Sequence, residues 1–127
     1  MPSIDAIGMV ARDMPASLAF YRALGLDIPA SADGEAHAEA VLAGGMRLMW
    51  DTEAMIRSFD PEYRREPGQS HTLAVRCDSP AEVNETVARL AGLGYAVVRE
   101  PWDAHWGQRY ATVADADGYA VDLYAAL

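Results

Sequence analysis

Cysteine is almost absent from this chain. Among 127 residues Cys77 stands alone. No disulfide can form within the chain, and a reducing cytoplasm is its natural setting. A lone thiol on an expected strand reads as packing, with little to suggest an activated nucleophile. Long apolar runs are missing too. None approaches the roughly 20 residues that a membrane-spanning helix needs. The opening MPSIDAIGMVARDM has no basic stretch leading into an apolar one, so a signal peptide or anchor is not expected. Basic residues are scarce. Lys and Arg number 10 against 19 acids, for a formal charge of −9, whereas phosphate recognition needs clustered cations. Neither nucleic acid nor membrane is an expected partner. An acidic surface suits cationic or neutral ligands, and equally it can serve solubility alone.

What the chain has is enough apolar material for one packed domain: 51% hydrophobic against 23% charged residues. Its organisation repeats. Ile4 to Ala11 reads as a strand, and Asp13 caps a helix with Pro15 in its first turn. Leu18, Tyr21 and Leu24 form the apolar stripe of that helix, and Gly25 ends it. Ala36 to Leu42 and Met46 to Trp50 read as a hairpin around Gly44-Gly45. The plan then recurs. Thr72 to Arg76 is a strand, and Ser79-Pro80-Ala81-Glu82 is a capping box. Val83, Val87 and Leu90 form the stripe, and Leu93-Gly94 ends the helix. A short strand, Tyr95 to Arg99, precedes a last hairpin, Arg109 to Ala114 and Tyr119 to Tyr124. The fold class expected is α+β, two tandem βαβββ units whose mixed sheets curve round a concave ligand cleft. The first unit covers residues 1–51, a connecting loop 52–70, and the second unit 71–127.

Two segments break the repeat. The connecting loop is long and carries Pro61, Pro67 and Gly68; its Phe59 and Tyr63 suit a lid as well as a plain linker. The second, PWDAHWGQR from Pro101 to Arg109, reads as a loop holding two tryptophans and a histidine.

The tandem unit with its closing DADGYAVDLY resembles the glyoxalase / bleomycin-resistance (vicinal oxygen chelate) superfamily, with Ala116 where a proline is usual. The resemblance covers the whole chain. HAEAVLAGGMRLMWDT, RSFDPEY and PWDAHWGQRYA are similar in particular to mitomycin-resistance and related antibiotic-binding proteins. That implies a homodimer, often with strands exchanged, and clefts that sequester a drug without a metal. Metal-using members place one ligand on each of four strands. Those places fall here on Ala6, Met49, Thr72 and Asp122. Only Asp122 is a competent ligand, so neither a metal nor another cofactor is expected. A register slip by one residue would bring in His71 but turn it to the other sheet face.

No phosphate loop, HExxH, GxSxG or Cys-His motif is present. His37 and Glu39 alternate onto one strand face, which allows proton transfer but equally a polar wall. Flat side chains are the stronger signal. Trp50 reads as core; Trp102, Trp106 and Tyr110 cluster in sequence. The expected activity is metal-independent binding and sequestration of a small planar aromatic or quinone-type natural product. The ligand would lie between His37 and Trp106, each from a different subunit, with Asp51, Tyr110, Trp102 and Asp122 beside it. The alternative is a metal-dependent or cofactor-free lyase, isomerase or dioxygenase of the same superfamily.

Overall fold

The computed structural model describes residues 1, 3–66, 68–69 and 71–127. The chain divides into two compact units, residues 1–66 and 67–127. Among the described residues no helix is long and apolar enough to cross a membrane.

In the first unit β1 (Ala6–Ala11) leads into α1 (Met14–Ala23). The Asp13 side chain accepts from Ala16 N at 3.2 Å, as an N-cap should. Gly25 follows the helix at φ +101°, a conformation that costs glycine little. β2 (His37–Val41) and β3 (Arg47–Thr52) form the expected hairpin. The sheet order is β1-β3-β2, with β1 parallel and β2 antiparallel to β3. Its inner face buries Ala38, Ala40, Leu48 and Trp50 with Leu18, Phe20 and Tyr21. The Tyr21 and Trp50 rings meet at 5.2 Å, and Trp50 is 1% exposed, so its reading as core holds. Leu24 caps the helix and is only half-buried, whereas Phe20 is fully buried.

Two local features differ from expectation here. Between α1 and β2 a 3₁₀ helix spans Ala30–Gly34, so this unit has three strands among its described residues. Pro29 holds φ at −62° and removes a donor that a ladder would need. The segment expected as a connecting loop begins as a helix, α2 (Glu53–Phe59). Thr52 caps it by accepting from Met55 N at 3.1 Å, and no Gly or Pro interrupts it before Pro61. Phe59 at its end is exposed, and Tyr63 faces the Arg57 guanidinium at 5.8 Å. Pro67 and Ser70, within the same expected loop, lie outside the described residues.

The second unit comprises β4 (Leu73–Arg76), α3 (Pro80–Gly92), β5 (Val97–Ala104), β6 (Gln108–Ala114) and β7 (Ala120–Ala126). The Ser79 hydroxyl accepts from Glu82 N at 3.1 Å, and the Glu82 carboxylate reaches back to Asp78 N at 2.5 Å. Strand order is β4-β7-β6-β5, with only β4 and β7 parallel. Val83, Val87 and Leu90 of α3 are buried, as are Ala111, Val113, Val121 and Leu123 of the sheet. PWDAHWGQR is not a loop. β5 runs through Trp102 to Ala104, and only residues 105–107 turn, with Gly107 at φ +88°. β5 is an edge strand, and its register shifts between Val97 and Arg99 and again between Arg99 and Trp102. An edge with such irregularities accommodates Pro101, which a central strand would not.

Candidate functional site

Strand alternation sends one face of each sheet to its core and leaves the other open. On the open face of the first unit, the β2–β3 register sets His37 opposite Asp51, Glu39 opposite Met49, and Val41 opposite Arg47. The polar side chains join into one chain. His37 Nδ1 lies 2.7 Å from Asp51 Oδ1, and His37 Nε2 lies 3.3 Å from Glu39 Oε2. Arg47 donates to Glu39 and, at 2.5 Å, to Asp5. The imidazole therefore has a carboxylate at each nitrogen. Its pKa is raised above the ordinary 6.5, first by the hydrogen bond to Asp51 and then, against partial burial, by Glu39. Glu39 is lowered in turn by His37 and then by Arg47. This is an arrangement for holding an imidazolium with its ring partly exposed.

The second unit's open face is aromatic. Register places Trp102 opposite Tyr110 and Tyr110 opposite Tyr124. The Tyr110 and Tyr124 rings stack at 6.4 Å. Trp106 extends from the turn and meets Trp102, His105 and Tyr110 edge-on at 5.4, 4.9 and 5.3 Å. Its Nε1 donates to Gln108 Oε1 at 2.9 Å, which fixes the indole plane, yet Trp106 remains 50% exposed. Trp102 is covered by the Arg99 guanidinium, 4.0 Å from its ring centre, and its buried Nε1 has no hydrogen-bond partner. Beside the rings, Asp122 accepts from Tyr110 Oη at 2.5 Å and from Thr112 Oγ1 at 2.7 Å. Burial and that carboxylate push the Tyr110 phenol up to about 12, so at neutral pH it donates and does not act as a base.

Of the expected site residues, His37 and Asp51 thus meet in the first unit, and Trp102, Trp106, Tyr110 and Asp122 gather in the second. Thr112, Tyr124, Arg47 and Arg99 were not foreseen. Alternation carries the signal for two of them, since Thr112 follows Tyr110 by two residues and Tyr124 follows Asp122 by two. Arg47 and Arg99 needed the register and the bulges.

The residues at the superfamily's metal places do not fit a metal. Ala6 and Met49 stand on the first sheet, opposite Arg47 and Gly8. On the second, Thr72 precedes β4, and Asp122 faces Ala74. Among the described residues no three His, Cys, Asp or Glu side chains are grouped to hold an ion. Cys77 is buried, and burial raises its thiol pKa, which suits packing. A groove of about 460 Å³ lies on the helix side of the second unit, lined by Asn84, Val87, Ala88, Val97, Pro101 and Arg109 among others; it contains none of the expected residues.

The Glyoxalase/Bleomycin resistance protein/Dioxygenase superfamily model matches residues 3–123. No curated protein matches the chain. A glyoxalase/bleomycin resistance protein/dioxygenase family enzyme from Burkholderia phytofirmans PsJN superposes with a TM-score of 0.86 at 15% identity, covering 99% of this chain and 100% of that one. An Agrobacterium tumefaciens protein solved in solution has a TM-score of 0.76 at 29% identity, with 100% and 99% covered. A lactoylglutathione lyase from the same organism scores 0.69 at 21% identity, with 97% and 92% covered.

Proposed function

The chain belongs to the glyoxalase/bleomycin resistance protein/dioxygenase superfamily, and from that premise we propose that it binds a small planar aromatic molecule, of the quinone-bearing antibiotic kind, without a metal. The observation that carries this reading is the cluster of Trp102, Trp106, Tyr110 and Tyr124 around Asp122. Flat apolar surface with a few placed polar groups is the general composition of small-molecule sites. A half-exposed indole, locked in plane by Gln108, offers a stacking surface at little rotamer cost. His37 of a second copy would offer a second flat surface, and its Asp51 would orient the ring. Self-association into a homodimer belongs to the same proposal.

The test is a tryptophan-fluorescence titration with planar quinone-type natural products, followed by recovery of the ligand and mass spectrometry. Saturable quenching with the ligand recovered unchanged supports sequestration. Absence of saturation across the panel overturns it. The second reading, cofactor-free acid–base catalysis, draws on His37 standing between two carboxylates; it requires a changed mass in the recovered ligand. Light scattering at micromolar protein should give twice the 13.7 kDa chain mass, and a monomer would refute the dimer.

A further inference from the structure

We propose that the aromatic ligand taken by the second unit carries a positive charge, set against Asp122. The inference rests on the aromatic-binding reading above and narrows it to a chemical class: a planar ring bearing a cationic nitrogen.

Asp122 is partly removed from water on the open sheet face. Its two hydrogen-bond donors, Tyr110 and Thr112, are neutral hydroxyls. They orient the carboxylate, and among the described residues no cation pairs with it. Two arginines share this face, and neither pairs with it. Arg76 stands on β4 opposite Tyr124, exposed and, among the described residues, with no ion pair. Arg99 stands opposite Thr112, but its guanidinium lies over Trp102. A partly desolvated carboxylate without a counter-charge is unfavourable, and an arriving cation relieves that cost. A carboxylate oxygen has two lone pairs, so each oxygen of Asp122 can accept one more hydrogen bond.

Arg99 is the second observation. With no carboxylate partner among the described residues, this guanidinium rests on the face of an indole, where the ring quadrupole attracts cations. Trp106, Tyr110 and Tyr124 offer the same kind of face beside it. A planar cation therefore gains from stacking, from the ring faces and from Asp122. A neutral ring gains only the first, and an anion would have to find Arg76 or Arg99 while meeting Asp122.

The experiment uses three probes of one shape in mildly alkaline buffer: 1-methylquinolinium, quinoline and 1-naphthoate. Binding to the full ¹⁵N-labelled chain is followed through the indole N–H resonances, with buried Trp50 as internal control. The expected result is shifts at Trp102 and Trp106, with 1-methylquinolinium binding at least fivefold more tightly than quinoline. Asp122→Asn should weaken the cation about tenfold, so that its advantage over quinoline is lost. Arg99→Gln, at an exposed position, should strengthen the cation two- to threefold by removing a like charge. A purely structural role for either residue would not move cation affinity in opposite directions. Equal affinity for the cation and quinoline, tighter binding of 1-naphthoate, or an unchanged cation affinity in Asp122→Asn overturns the charge assignment and leaves aromatic binding standing. No shift at Trp102 or Trp106 with any probe overturns the aromatic reading itself.

Discussion

Set side by side, β1-β3-β2 and β4-β7-β6 follow one plan. Each has a parallel pair and an antiparallel neighbour on the central strand. Each packs apolar strand residues on its closed face, Leu48 and Trp50 in one unit, Val121 and Leu123 in the other. The open faces diverge. The first displays an ionic chain from Asp5 through Arg47, Glu39 and His37 to Asp51; the second displays four aromatic rings round a single carboxylate. Met49 and Asp122 occupy matching places, each on a central strand opposite a small residue of the parallel neighbour, Gly8 and Ala74. The closed face must fill space at high density, so its chemistry is restricted to apolar residues. The open face carries no such demand, and that is where the two units were free to differ.

The largest expected effect separates the tryptophans of the two faces. Trp50→Ala removes a side chain that is 1% exposed and packed on Tyr21, so stability measured in urea should fall by about 3–5 kcal/mol. A loss below 1 kcal/mol would break the assignment of Trp50 to the closed face. Trp106→Ala should do the reverse. Stability should change by less than about 1 kcal/mol, while affinity for the aromatic ligand drops about tenfold, equivalent to roughly 1.4 kcal/mol. Unfolding of this variant, with binding per folded molecule intact, would make Trp106 a packing residue.

Tyr110→Phe tests the polar element within the aromatic face. It deletes one donor to a half-buried carboxylate, and a loss of about 1–2 kcal/mol is expected on thermal unfolding. A neutral result would mean that Thr112 alone suffices to hold Asp122.

The smallest effect belongs to the ionic face, where partial exposure screens the charges. The folded pKa of His37 is raised. Its stabilising contribution is complete below the ordinary 6.5 and is lost as pH rises through the raised value. For Glu39, lowered from 4.5, the contribution is present above that value and is lost as pH falls through the lowered one. The ionic chain should therefore help most between those limits. In His37→Gln the decline in stability on the alkaline side should flatten relative to the parent, read from urea midpoints at a series of pH values. Parallel curves would remove His37 from the comparison.

How far the chain itself announced these features depends on how local they are. The caps at Asp13 and Ser79 were legible because a capping side chain bonds to backbone three residues on. The α3 stripe of Val83, Val87 and Leu90 was legible because helical spacing is a property of the chain alone. Trp102 was misplaced into a loop. Pro101 and the mixed polarity around it argue against a regular strand, and only an edge position with shifted register reconciles them. The Thr52 cap of α2 has a local signal that the prolines and glycine further along obscured.

Residue order alone determined the two-fold βα plan, the apolar stripes of the helices and the alternation that separates Trp50 from Arg47, Met49 and Asp51. These follow from periods of 3.6 and 2, which are written along the chain. Only the tertiary structure decided which side chains became partners across strands. His37 met Asp51 over 14 residues because hairpin register brought them level, and Tyr110 met Asp122 over 12 on the diagonal, one step along from Thr112, the residue opposite Asp122. Arg99 settled over Trp102, and not on an acid, because the irregular edge of β5 put ring and guanidinium on one side. Register depends on turn length, bulges and the packing of the opposite face all at once, and no stretch of sequence holds that information by itself.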